Sequence, residues 1–406
     1  MSRMHRREFL NLGALAAGGA LLAPRLSFAG VAQGKSRLVV VILRGALDGL
    51  AAVPPYGDPD YPRLRGDLAL RAGGGPGGAL PLDGYFGLHP ALNFLHDSFG
   101  ARELIVFHAV ASPYRERSHF DGQDLLENGT PRAHGLQTGW LNRALSEMPH
   151  QAEREAGVAL GQNVPLVMRG PAAVTSWSPS KLTVLDEDTL ARITDLYASD
   201  KLLSVRLADA LAADTIAAED KGDAAMMAQP AQGGGARYAE VVHAAAGFLR
   251  QENGPQVAVF DTTGWDTHAN EGGAQGQLAG RLAQLDAGLA SLKQQLGPVW
   301  NDTAVLLVTE FGRTAAINGT RGTDHGTATA AFLVGGAVEG GRVITRWPGL
   351  SQQALYQGRD LAPTLDLRCV LKGLLADQLH VPSRSLEKTV FPDSASAKPL
   401  EGLLRG

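Results

Sequence analysis

The chain has 406 residues, enough for one large or two medium domains, so core size sets no limit. Its 37 Lys and Arg against 41 Asp and Glu leave a net charge of −4, which gives no basic field and excludes nucleic acid or an anionic lipid surface as a general partner. Fifty glycines and 22 prolines in a sequence that is 44% hydrophobic describe a loop-rich globular protein and exclude a disordered one.

Residues 1–29, "MSRMHRREFLNLGALAAGGALLAPRLSFA", read as an export signal: a basic opening, an Ala/Gly/Leu stretch and small residues before Ala29 where a signal peptidase cuts. Arg6-Arg7 followed by Glu8-Phe9-Leu10 resembles a twin-arginine signal, with His5 and Asn11 departing from its usual flanks. The twin-arginine translocase is then a partner during export, the chain crosses the membrane folded, and its destination is the periplasm or the exterior. No other apolar run approaches the ~20 residues that span a bilayer, so no stable membrane anchor is expected.

From residue 30 onward a single α/β domain is expected. "SRLVVVILRGALDGL" opens it with a continuous apolar run, the mark of a strand buried on both faces, and delivers Arg44 and Asp48 at its end. "RAGGGPGGALPLDG" is a surface turn, because its glycines lack the Lys-Ser/Thr and helix of a phosphate loop. "ELIVFHAV" repeats the strand pattern and runs into "ASPYRERSHFDGQD". The segment from about 141 to 237 breaks the rhythm with an Ala- and Asp-rich helical pattern and a loose return, and reads as a helical insertion. Next come the helix-spaced "YAEVVHAAAGFLRQE", the strand "QVAVFDTTGWDTH", the helix-spaced "GQLAGRLAQLDAGLASLKQQL", and the strands "TAVLLVTEFGR" and "TAAFLVGG". Cys369, the sole cysteine, sits in the amphipathic "LDLRCVLKGLL", read as a buried helix, and can form no intramolecular disulfide. Alternating strands and helices predict a three-layer fold, a mostly parallel central sheet flanked by helices, with ligands bound beyond the carboxyl ends of the strands.

Four polar clusters fall at those ends: Asp48; Ser118, His119 and Asp121; Asp261, Asp266 and His268; and Glu310, Arg313, Asp324 and His325. Carboxylates and neutral imidazoles are the ligand types that hold divalent cations, and two metals can clamp the attacking and leaving oxygens of a phosphoryl or sulfuryl transfer. Each cluster also has a plain structural use. Asp48-Gly49 can be a turn, Ser118 and Asp121 can cap a helix, and Glu310 with Arg313 can form an ion pair. His89 and His108 read as packing residues.

"VVVILRGALDGLAAVPPYGDPDY", "SHFDGQDLLENG", "GWDTHAN" and "TEFGRTAAINGTRGTDHGT" resemble the signature segments of the bacterial DUF1501 proteins, exported relatives of the alkaline phosphatase and sulfatase superfamily. The resemblance covers nearly the whole chain after the signal and implies an alkaline phosphatase-like fold with a metal site of one or two ions, zinc or manganese, at the sheet's carboxyl edge. It implies metal ligands at Asp48, Asp266, His268, Glu310, Asp324 and His325, with His119 or Asp121 as an additional one, leaving Asp261 as an alternative to Asp266. It places Phe311 where a histidine ligand is usual. Ser118 would occupy the nucleophile's place at a helix N-terminus, and Arg313 or Arg44 would hold a non-transferred oxygen. No Cys-x-Pro-x-Arg signature is present, which disfavours a formylglycine sulfatase. Two readings follow: an exported metal-dependent hydrolase of phosphate or sulfate esters, small or polysaccharide-linked, or a non-catalytic cell-envelope binding or assembly protein retaining the fold. A metal-dependent mutase or transferase on a phosphosugar would share the site.

Overall fold

The computed structural model describes residues 35–73, 75, 77–148, 156–179, 187–218 and 234–406. The segment read as an export signal, residues 1–29, lies outside them, as does part of the return ending near 237. In chain order the strands are β1 (Arg37–Arg44), β2 (Leu80–Pro81), β3 (Gly87–Leu88), β4 (Leu104–Ala111), β5 (Gly157–Leu160), β6 (Val174–Trp177), β7 (Val257–Thr263), β8 (Thr303–Val308), β9 (Thr329–Val334), β10 (Arg342–Ile344) and β11 (Leu365–Asp366). The five apolar runs seen in the sequence are β1, β4, β7, β8 and β9.

The central sheet has the order β10-β4-β9-β8-β1-β7-β5-β6, with β11 added to β4, while β2 and β3 form a separate two-stranded ribbon. β1 pairs in parallel with both β7 and β8, β7 with β5, β5 with β6, and β4 with β10 and β11. β9 is antiparallel to β4 and β8. The mostly parallel sheet is as the sequence predicts. Within the segment 141–237 the chain contributes β5 and β6 as well as the helices Glu187–Tyr197 and Lys201–Ala218, so this stretch widens the sheet in addition to carrying helices.

Side chains alternate faces along a strand, and β1 shows how the layers form. Val39, Val41 and Leu43 pack on one face with Val242, Leu249, Leu282 and Leu289 from the helices Gly234–Arg250 and Gln277–Leu296. Leu38, Val40 and Ile42 pack on the other with Trp140, Leu141, Val370 and Leu374 from the helices Trp140–Ser146 and Leu367–Leu379. A strand covered on both sides has no polar face, which is why β1, β8 and β9 read as unbroken apolar runs and β4 as one interrupted only by buried His108.

The antiparallel course of β9 positions the site. The chain leaves β8 at its carboxyl end and re-enters the sheet from the same edge, so all of residues 309–328 stay over that edge. The carboxyl ends of β1 and β7 lie there as well. His89 and His108 are core residues: the His108 ring is fully buried, bonded to the Val53 carbonyl at 3.0 Å, and burial drives its pKa down to about 4.

Candidate metal centre

The loop after β1 turns sharply through Gly45 (φ 121°) and Ala46 (φ 63°). Gly45 has to be glycine, because a Cβ would stand 2.7 Å from the Asp266 amide nitrogen. Its own N–H donates to Glu310 Oε1 at 2.9 Å, so the β1, β7 and β8 loops touch at this one residue. His119 begins the helix His119–Asn128 that follows β4, and His325 comes just before β9.

Three imidazoles meet over this edge. His325 Nε2 lies 3.0 Å from His119 Nε2 and 3.0 Å from His268 Nε2. The Asp266 carboxylate is 3.2 Å from His268 Nε2 and 3.5 Å from the Nε2 atoms of both His119 and His325. His119, Asp266 and His325 each bring a ligand atom within 4.8 Å of the other two, the single such group among the described residues.

The far side of each ring fixes its tautomer. His119 Nδ1 donates to Glu310 Oε1 at 2.7 Å, His268 Nδ1 to Asp324 Oδ1 at 3.2 Å, and His325 Nδ1 to the Arg117 carbonyl at 2.9 Å. A carboxylate and a carbonyl only accept, so each Nδ1 carries a proton, and a ring in its neutral form then turns a bare Nε2 lone pair inward. Lone pairs and a carboxylate facing each other across 3.0–3.5 Å repel unless a proton or a cation sits among them. Tetrahedral zinc with nitrogen and oxygen at about 2.0–2.1 Å spaces its ligand atoms about 3.3 Å apart. The donor set therefore fits a small divalent cation in type and in spacing.

Electrostatics support it. Burial would raise the Asp266 carboxyl, but the hydrogen bond and charge of Arg313, joined by His268 and His119, hold it below the usual carboxylate range. Burial would likewise raise fully buried Glu310, yet bonds from His119, Gln123 at 3.1 Å and the Gly45 N–H keep it ionised. Glu310 in return raises the His119 pKa. His325 is lowered, by burial first and the His119 and Arg313 charges next, which favours the neutral ligand form.

A family model described as "Protein of unknown function (DUF1501)" matches residues 106–390. The chain belongs to the DUF1501 family. No curated protein matches this DUF1501 chain by sequence. Among solved structures it is similar to the C-terminal periplasmic domain of EcEptC from Escherichia coli, in complex with Zn, at 12% identity and TM-score 0.40, over 89% of this chain and 87% of that one. It is also similar to the phosphonate monoester hydrolase of Agrobacterium radiobacter (10%, TM-score 0.38, 85% and 74%) and to the lipoteichoic acid synthase LtaP of Listeria monocytogenes (10%, TM-score 0.35, 78% and 67%). Likeness at such distance says nothing of a substrate.

Of the ligands named from the DUF1501 resemblance, the structure brings together His119, Asp266, His268 and His325 and not the other three. Asp48 is 1% exposed and spent elsewhere: Oδ1 caps the short helix Gly49–Ala52 through the N–H groups of Leu50 and Ala51, and Oδ2 pairs with buried Arg65 at 2.5 Å. Glu310 and Asp324 stand behind His119 and His268 as hydrogen-bond acceptors, aiming the rings. Asp261 pairs with Arg44, which leaves Asp266 as the carboxylate of the cluster.

Arg313 does not reach for a substrate oxygen. It is 2% exposed and fully engaged, with Nη1 on Asp266 Oδ1 at 2.6 Å, Nε on Thr323 Oγ1 at 3.1 Å and Nη2 on the Thr323 carbonyl at 2.5 Å. Arg44 is similarly committed, to Asp261, Gln123 and Glu127. Ser118 is the N-cap residue of its helix but makes no side-chain cap bond, so the plain structural use of its hydroxyl is not realised. Phe311 forms an apolar wall, its ring centroid 5.0 Å from that of His119 and 5.3 Å from that of His325.

Two supports had no signal in the sequence. Arg117 (φ 62°) presents its carbonyl to His325 because its guanidinium is tied to buried Asp360 at 2.8 Å, a partner 243 residues away. Glu271, fully buried, shares Arg65 with Asp48 and accepts from the hydroxyls of Thr267 (3.0 Å) and Thr323 (2.8 Å), under the two loops that carry the ligands.

Proposed function

We propose that this is an exported metal-dependent hydrolase of phosphate or sulfate esters, with His119, Asp266, His268 and His325 holding one divalent cation. The observation that carries the reading is the geometry of three imidazoles: each Nδ1 has an acceptor on its outer side, and the three Nε2 atoms converge on one carboxylate. Imidazole-rich donors with one carboxylate favour zinc, with manganese next. Such a cation supplies Lewis acidity and acidifies a bound hydroxyl or water.

The chain's own groups do the rest. Ser118, the N-cap of the helix that begins with His119, keeps its hydroxyl uncommitted and is the nucleophile of this reading. The first-turn N–H groups of that helix lack intrahelical acceptors and favour an oxyanion. Asp266, fixed by Arg313, and Glu310, fixed by Gly45 and Gln123, hold the ligand geometry through the reaction.

The reading is tested by elemental analysis and a screen of phosphate mono- and diesters and sulfate esters on protein lacking residues 1–29. One equivalent of zinc or manganese is expected, with turnover abolished in His325→Ala and strongly reduced in Ser118→Ala. Stoichiometric metal without turnover would favour the second reading, a binding or assembly protein, which draws on Asp48 being unavailable for a second ion. Protein that takes up no metal would overturn the hydrolase reading.

A further inference from the structure

Beside the His/Asp cluster lies a cleft of 910 Å³. The four cluster residues do not line it, but their neighbours do: Phe120 and Gln123 lie on the helix that begins at His119, Gln123 bonds Glu310, and Trp265 precedes Asp266. The cleft is at the large end of the range for small-molecule sites, more than a single ester group fills.

Its charges are unevenly satisfied. The carboxylates on its walls are occupied: Glu127 and Asp261 by Arg44, Asp124 by Asn128 and His134. The guanidinium groups of Arg237 and Arg281 have no hydrogen-bond or ionic partner among the described residues, and Arg169 has only the Val164 carbonyl at 2.9 Å. Arg281 lies over Gly264 (φ 94°), where a Cβ would stand 2.7 Å from its Nε. Guanidinium groups without carboxylates, gathered around one space, recognise sulfate or phosphate oxygens in bidentate fashion.

The remaining polar lining has a second character. The side-chain amides of Gln162, Asn163 and Gln284 face the cleft with no intramolecular partner among the described residues, donors and acceptors suited to hydroxyl groups. Phe120, at the lip and adjacent to His119, is 87% exposed. A large aromatic ring held on a helix in water has no packing role in the fold, and its flat face suits the apolar face of a sugar ring.

We infer that this cleft binds an anionic oligosaccharide, placing one of its sulfate or phosphate esters at the His/Asp cluster while Arg169, Arg237 and Arg281 hold the acidic groups of neighbouring units. The inference deepens the hydrolase reading and rests on it for its purpose, but its binding step is independent of the metal.

The test is therefore binding to the His325→Ala protein without added metal, measured by calorimetry with a short sulfated dextran as probe. Binding is expected to weaken about tenfold or more in the Arg169→Ala/Arg237→Ala/Arg281→Ala variant. Phe120→Ala should weaken it severalfold, and unsulfated dextran should not bind measurably. Equal affinity for the triple variant, or for unsulfated dextran, would overturn the inference, as would inorganic sulfate binding as tightly as the oligosaccharide. All the substituted arginines are on the surface, and an unchanged unfolding midpoint confirms that the loss is local. A protein that binds the probe but takes up no metal refutes the hydrolase and keeps the cleft; one that takes up metal but ignores the probe does the reverse.

Discussion

Each ligand ring is aimed by one acceptor, and that is where single substitutions act. Glu310→Gln keeps the shape but removes the charge that commits the Nδ1 proton of His119, so divalent-metal affinity should fall about 10–100-fold, read by competition with a chelator. Arg313→Met removes the clamp on Asp266 and should weaken metal by a similar factor, with the Asp266 carboxyl returning toward its ordinary pKa. If Arg313 instead held a substrate oxygen, the same variant would keep its metal and lose only turnover. Metal affinity should fall as pH drops and protons compete for the ligand atoms, with His119, which Glu310 makes the more basic, charging before His325.

Elements bring these residues within reach of one another, and here loops matter more than strands. Gly322 lets the 309–328 loop lie on the Asp266–His268 segment: a Cβ would sit 2.4 Å from the His268 carbonyl. Gly322→Ala should lower the unfolding temperature by a few degrees and impair metal uptake together. Gly319→Ala, in the same loop but facing open space, should change neither. The strands were legible in the sequence because a strand buried on both faces is written as an apolar run, unbroken in Leu38–Leu43 and interrupted only by His108 in Leu104–Val110. The short strands β5 and β6 were not, since four residues carry little pattern and β6 is only partly buried. The site divided in the same way. Residue type and strand-end position located all four groups of the cluster, but the resemblance also implied Asp48, Glu310 and Asp324 as ligands, because whether a carboxylate is a ligand or stands behind one depends on partners such as Arg65, which is 17 residues from Asp48, and His119, which is 191 from Glu310. Arg117 and Asp360 left no trace, their link being 243 residues long.

At the scale of the whole molecule, stability and pH meet at the buried trio Asp48, Arg65 and Glu271. Two carboxyl groups share one guanidinium with no access to water. The Arg65 charge keeps Asp48 ionised against its burial, while burial and the Asp48 charge push Glu271 up to about 8, so Glu271 retains its proton at neutral pH. The folded protein then binds a proton that the unfolded chain has lost. Its contribution is fully present below the ordinary carboxylate pKa and disappears as pH rises through the folded value. Urea midpoints should fall from pH 5 to pH 9, by a free energy on the order of a few kcal/mol, and Glu271→Gln should flatten that slope. Removing the cation instead, as in Arg65→Met, strands the Asp48 charge and should cost roughly 3–5 kcal/mol.

β1 is the first of the described strands and lies inside the sheet. Its two neighbours, β7 and β8, end only at residues 263 and 308, so a growing chain carries Leu38–Leu43 with both edges open for most of its synthesis. An apolar strand with two free edges is a template for pairing with other chains. Until β8 emerges from the ribosome the protein depends on being shielded, and polypeptides cut short before residue 303 are expected to aggregate, whereas those ending after β9 can close the sheet around β1.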